Sequence, residues 1–158
     1  MTQGTLYASR AEVPQGTFFA EAYPLSHRRV CSPDDGSLMY VEKTHRVLDG
    51  VCFHLGDAPV LTSLYRSPAH NARVGGRPTS AHKKGIAFDL SWIGTQVDPL
   101  KLVLEMRRMG VNNIGLAKTF IHGDLRPGKD RFWWYKGAQD IWTREHGIRG
   151  RSDLGLAQ

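Results

Sequence analysis

An aspartate lies inside an apolar run: Asp89, in GIAFDLSW, is flanked by isoleucine, alanine, phenylalanine and leucine. The β-branched and aromatic content of that run reads as a strand. Two arrangements satisfy a carboxylate there. Ala87, Asp89 and Ser91 can share a face turned to water, or the carboxylate can be buried against a cation or hydrogen-bond donors, because an unpaired buried charge is costly.

The same logic extends along the chain. VLTSLY (60–65) reads as another strand, and the loop between them, RSPAHNARVGGRPTSAH, is rich in Pro, Gly, Ser and Asn. Loops of that length are uncommon without a functional reason. TFIHGDLR and RFWWYKG read as two further strands. Ser32 as N-cap, Pro33 at the first helical position and Asp35 predict a helix. Its buried face would be Leu38, Val41, His45, Leu48, Cys52 and Leu55, and Gly56 would end it. Asp98 and Pro99 open a second helix, with Leu100, Val103 and Leu104 on one face, Lys101, Glu105 and Arg108 on the other, and Gly110 at its end.

Helices and strands do not alternate as in a doubly wound fold. The expectation is one small α+β domain over 1–158, with helices packed on a largely antiparallel sheet. Within it, 1–31 form an N-terminal arm, where Pro14 and Pro24 flank TFFAEAY, and 32–143 form the core. Residues 144–158 are a polar tail expected to be partly disordered.

A net charge of +6 and a pI near 9.6 favour an anionic partner. The basic residues are scattered, apart from pairs such as Arg28–Arg29, Lys83–Lys84 and Arg107–Arg108. Without a basic stripe carrying interleaved aromatics, nucleic acid is not the expected partner. No apolar run reaches membrane-spanning length, and the first residues lack the basic start and apolar stretch of a secretory signal. Cys31 and Cys52 form no CxxC motif and are expected as two buried thiols. A monomer is expected.

His82, Asp89 and His122 carry the chemistry. Two imidazoles and a carboxylate suit zinc with one position left open, the arrangement of catalytic zinc. His82 and Asp89 are seven residues apart, unlike the i,i+4 pair of a zinc helix. His122, Asp124 and Arg126 fall on one side of a strand. Asp124 there can accept a proton from a bound water, orient His122, or form an ion pair with Arg126.

The string LYRSPAHNARVGGRPTSAHKKGIAFDL resembles the pattern SGYRSPxHNxxVGGxxxSxHxxGxAxDI of zinc D-alanyl-D-alanine carboxypeptidases and L-alanyl-D-glutamate endopeptidases, and FIHGDLRPG resembles their second motif, a strand with HxD. The resemblance spans roughly 60–134. It implies that His82, Asp89 and His122 hold zinc, that Arg66 stabilises the oxyanion and contacts substrate, and that Ser80 contacts substrate, while Asn71, Gly75 and Gly76 shape the loop. Some relatives carry a general base three residues before the last histidine, or a histidine two before it. Thr119 and Phe120 stand at those positions, so the base role falls to Asp124, as in the HxD subgroup. Leu64 replaces the glycine of SGYRS. Relatives often place an aromatic after HxD near the site rim, where this chain has Phe132, Trp133, Trp134 and Tyr135.

The activity so implied is zinc-dependent hydrolysis of a peptide bond in bacterial peptidoglycan stem or cross-link peptides. The enzyme would be a carboxypeptidase or endopeptidase of phage-lysin type, made in the cytoplasm without a signal peptide and acting on the cell wall. The alternative is a zinc-binding, non-catalytic wall-binding or virion structural module of the same fold.

Overall fold

The computed structural model describes residues 4–8, residue 12 and residues 37–156. TFFAEAY, Cys31 and the Ser32–Pro33–Asp35 helix signal lie outside them. Two strands, β1 (Thr5–Tyr7) and β2 (Leu38–Tyr40), pair antiparallel, with Leu6 opposite Met39. The first long helix, α1 (Glu42–Leu55), therefore starts later than its expected face implied. Leu38 belongs to a strand whose backbone groups are paired with β1. Val41, extended at φ −124°, is the N-cap. Of the remaining expected face, His45, Leu48 and Cys52 are buried and Leu55 is half-buried, and Gly56 closes the helix in the left-handed region.

A five-stranded sheet carries the rest of the fold. Its strands are β3 (Val60–Ser63), β4 (Ala87–Ser91), β5 (Asn113–Leu116), β6 (Ile121–Asp124) and β7 (Arg131–Trp134), in the order β3-β4-β6-β5-β7. All neighbours are antiparallel except β5 and β7. The fold is thus the expected small α+β domain on a largely antiparallel sheet. The loop after β3 holds a short helix, α2 (Pro68–Arg73), and a 3₁₀ turn at Ala81–Lys84. Helix α3 (Pro99–Arg108) begins where expected: Asp98 accepts a 2.7 Å hydrogen bond from the Lys101 N–H, and Pro99 follows it. Its inward face differs from the expected one. Leu102, Val103 and Met106 are buried, whereas Leu104 is 43% exposed and Leu100 half-buried. The i, i+3, i+4, i+7 series starts at Pro99, one position before the leucine taken as its anchor.

The sheet separates two environments because strand side chains alternate. Phe88, Leu90, Ile114, Leu116 and Ile121 join Val47, Leu48 and Val51 of α1 and Leu102, Val103 and Met106 of α3 in one core. Phe132 and Trp134 pack against that core. The opposite face of the central strands carries Asp89, His122, Asp124 and Gly115.

Residues 139–156 add a helix and a turn to this framework. Helix α4 (Gln139–His146) buries Trp142 fully, and its indole N–H donates to the Ala117 carbonyl at 2.7 Å. A 3₁₀ turn at Arg151–Leu154 then brings Leu154 and Leu156 into the core, alongside Ile148. The apolar residues are too few and too widely spaced to give a helical period, yet each is buried.

Candidate metal centre

Asp89 and His122 are direct cross-strand partners on β4 and β6. Directly opposed residues of an antiparallel pair bring their Cβ atoms to about 5 Å on one face, so register alone brings these two groups together. A bulge between Leu61 and Ser63 shifts β3 by one residue and sets Ser63 opposite Asp89. Bulges re-aim side chains in this way. The row is completed by Gly115 and Trp133, so Ser63, Asp89, His122, Gly115 and Trp133 lie abreast across all five strands.

His82 enters from the 3₁₀ turn, which Gly85 terminates at φ +66°. A side chain at Gly85 would be strained by that dihedral and would meet the Met39 carbonyl oxygen at 2.8 Å. Thr44 of α1 donates its hydroxyl to the Gly85 carbonyl at 2.9 Å, and the Arg66 N–H donates to the His82 carbonyl at 3.2 Å. The turn is thereby fixed from both sides.

Three atoms converge: His82 Nε2, Asp89 Oδ1 and His122 Nδ1. Their separations are 2.7 Å (Asp89–His122), 3.2 Å (His82–His122) and 3.4 Å (His82–Asp89). Ligands of a tetrahedral zinc with bonds near 2.05 Å stand roughly 3.3 Å apart, so the donor set fits such an ion with little movement. All three residues are buried. Each imidazole also has its second nitrogen held. His82 Nδ1 donates to the Leu64 carbonyl at 2.6 Å, and His122 Nε2 donates to Asp124 Oδ2 at 3.2 Å. Such partners fix the tautomer and orient the metal-facing nitrogen.

The electrostatics follow from these contacts. Burial alone would raise the Asp89 pKa, but hydrogen bonds from His122 and His82 outweigh it and hold the carboxyl well below the usual range. Burial likewise opposes ionisation of Asp124, yet hydrogen bonds from His122 and Arg126 bring its pKa down to about 2. For His122, burial works against the charged form, and hydrogen bonding to Asp124 and Asp89 wins and raises its pKa. The two carboxylates therefore favour positive charge between them. A divalent cation satisfies the same negative charge.

The expected site residues are distributed as follows. Arg66, with its side chain 17% exposed, donates from Nη2 to Asp89 Oδ2 at 3.0 Å and from Nε to Ser63 Oγ at 2.9 Å. Ser80 is half-buried at the start of the 3₁₀ turn, and its side chain makes no capping hydrogen bond. Asp124 is fully buried. It accepts from Arg126 Nη2 at 2.7 Å and Nε at 2.9 Å, as well as from His122. It thus lies at the nitrogen of His122 that does not face Asp89 and His82. Asn71 donates to the Arg77 carbonyl at 3.0 Å, and the Gly76 N–H donates to the Asn71 carbonyl at 2.8 Å, tying the loop across its middle. Thr119 is exposed, and Phe120 packs on Tyr135 with ring centroids 5.2 Å apart.

A family model described as Peptidase M15 matches residues 10–124, a span holding all three converging residues. The chain belongs to the M15 peptidases. No curated protein matches it. M15 peptidases are metal-dependent, and the His82–Asp89–His122 cluster of this M15 chain is able to bind a metal. Among the described residues, no helix is long and apolar enough to cross a membrane.

Two contributions to this M15 site escaped sequence reasoning, and a third, Trp133, was named only as one member of a cluster. The Leu64 carbonyl leaves no side-chain signature. Ser63 reaches the site only through a bulge. Trp133 was one of four consecutive aromatics, and alternation separates it from Phe132 and Trp134, which pack on the core.

Proposed function

We propose that this M15 chain is a zinc peptidase hydrolysing a peptide bond in the stem or cross-link peptides of bacterial peptidoglycan. One observation carries the reading: two imidazoles and a carboxylate converge with both remaining imidazole nitrogens already engaged. His82, Asp89 and His122 would hold the ion. When bound, zinc supplies a Lewis acid for the scissile carbonyl and acidifies a water to near neutral pKa.

The protein's own groups do the positioning. Arg66, steadied by Ser63, keeps a guanidinium at the edge of the centre, where it would stabilise charge developing on the carbonyl oxygen. The Ser80 hydroxyl, not used in capping its turn, would hydrogen-bond the peptide. Asp124 would orient His122. Its full burial, its Arg126 partner and a pKa near 2 favour that role over proton uptake, since an efficient base has a pKa near the working pH. The positive net charge would retain the enzyme on an anionic wall.

The test is digestion of purified peptidoglycan by the wild type and by His82→Ala, following released amines and fragment masses. New amines from the wild type alone are expected, and the masses identify the bond. A wild type that binds zinc but releases nothing supports the non-catalytic module instead.

A further inference from the structure

Gly115 lies between His122 and Trp133 in the cross-strand row, paired antiparallel with the first and parallel with the second. A Cβ there would stand 2.4 Å from Trp133 Cε2 and 2.6 Å from both Cζ2 and Nε1. These approaches are too close for any real side chain, so the indole occupies the place a residue at 115 would otherwise fill. Having crossed β5, the indole reaches the His122 ring, with centroids 5.3 Å apart and planes at 51°.

That contact supplies what the hydrogen bonds of His122 leave free. Asp89 at Nδ1 and Asp124 at Nε2 fix the line joining the two nitrogens. Both act at the edge of the ring and put nothing against its faces, where a tilt about Cβ–Cγ would carry the Nδ1 lone pair off the metal position. A rigid aromatic packed on the ring resists that tilt. Trp133 is itself steadied by Tyr135, 6.3 Å away, and, unlike Phe132 and Trp134, it does not pack against the hydrophobic core.

We infer that Trp133 is a positioning residue for the metal ligand His122, and that Gly115 is required because the indole must cross it. This rests on the reading of His82, Asp89 and His122 as a zinc site, and it adds a partner for His122 from the sheet edge.

The test reads zinc affinity by competition with a chromogenic chelator, in the absence of peptide. Trp133→Ala is expected to weaken zinc binding about tenfold or more, the range for lost ligand-orienting partners. Trp133→Phe should retain most of the affinity. Gly115→Ala should weaken it similarly, by displacing the indole. The decisive variant is Gly115→Ala/Trp133→Ala, which relieves the clash and should bind zinc no more weakly than Trp133→Ala alone. Wild-type affinity in Trp133→Ala, or additive losses in the double variant, overturns the inference. If Trp133→Ala does not fold, Gly115→Ala and Gly115→Ala/Trp133→Phe decide: a loss of zinc affinity in the first that the smaller ring of the second relieves supports the inference, and wild-type affinity in the first or additive losses in the second overturn it. A wild type that binds zinc but cuts no peptidoglycan refutes the hydrolase reading alone, and the affinities still judge Trp133. A wild type that takes up no zinc overturns both.

Discussion

Asp124 engages His122 at Nε2, 3.2 Å away, whereas Asp89 engages the same ring at Nδ1, 2.7 Å away. One imidazole is therefore held between two carboxylates, one beside the metal position and one behind it. Asp124→Asn keeps the shape but loses the charge that anchors both His122 and Arg126. Zinc affinity should fall about ten- to a hundredfold. Intact affinity with a kcat loss of roughly a hundredfold or more would instead assign Asp124 the base role.

Arg66 meets both Asp89 and Ser63, so two roles are separable in one variant. If its charge serves the reacting carbonyl, Arg66→Ala should lower kcat about 10²–10³-fold with KM little changed. If it serves only to hold Asp89, excess zinc should restore kcat. Steady-state kinetics at two zinc concentrations distinguish these outcomes.

Chelation should abolish activity and lower the melting temperature, and zinc should restore both. Binding to the folded state alone stabilises by about 2.7 kcal/mol at a hundredfold excess over Kd. A melting temperature that climbs with zinc in the wild type, but not in His82→Ala, is the expected pattern. Scanning calorimetry measures it.

Away from the site, burial lowers the His45 pKa from 6.5 to about 4. Its folded pKa lies below its unfolded one, so protonation favours unfolding. The stability linked to neutral His45 is complete above pH 6.5 and is lost as pH falls towards 4. Metal-free protein should show that slope in urea denaturation, and His45→Leu should flatten it.

Leu154 is buried at 3%, and its carbonyl accepts from Arg107 Nε at 3.3 Å. Leu154→Ala should cost about 2–5 kcal/mol, as for other buried leucine truncations. A disordered tail would show no change in urea midpoint.

Where the sequence announced this structure, it did so through local chemistry. The Asp98–Pro99 cap, Gly56 and Gly110 mark their helix ends because each acts within a few residues. The three converging residues were legible through their motif; the meeting of Asp89 and His122 required only that two strands pair in register, and the turn ended by Gly85 brings His82 to them. What stayed hidden was non-local. Leu38 looked helical because its pairing with Tyr7 is set by distant chain. Leu154 looked solvated because the surface that buries it comes from other elements. The Leu64 carbonyl is a backbone group that any residue carries.

The pairing of Asp89 with His122 has a consequence for folding. Side chains on a strand alternate faces, so a slip of one residue between β4 and β6 turns one of these ligands into the apolar core. A chain in the wrong register would lose the three-ligand set altogether. Zinc uptake during refolding would then time the moment at which the two central strands find their native alignment.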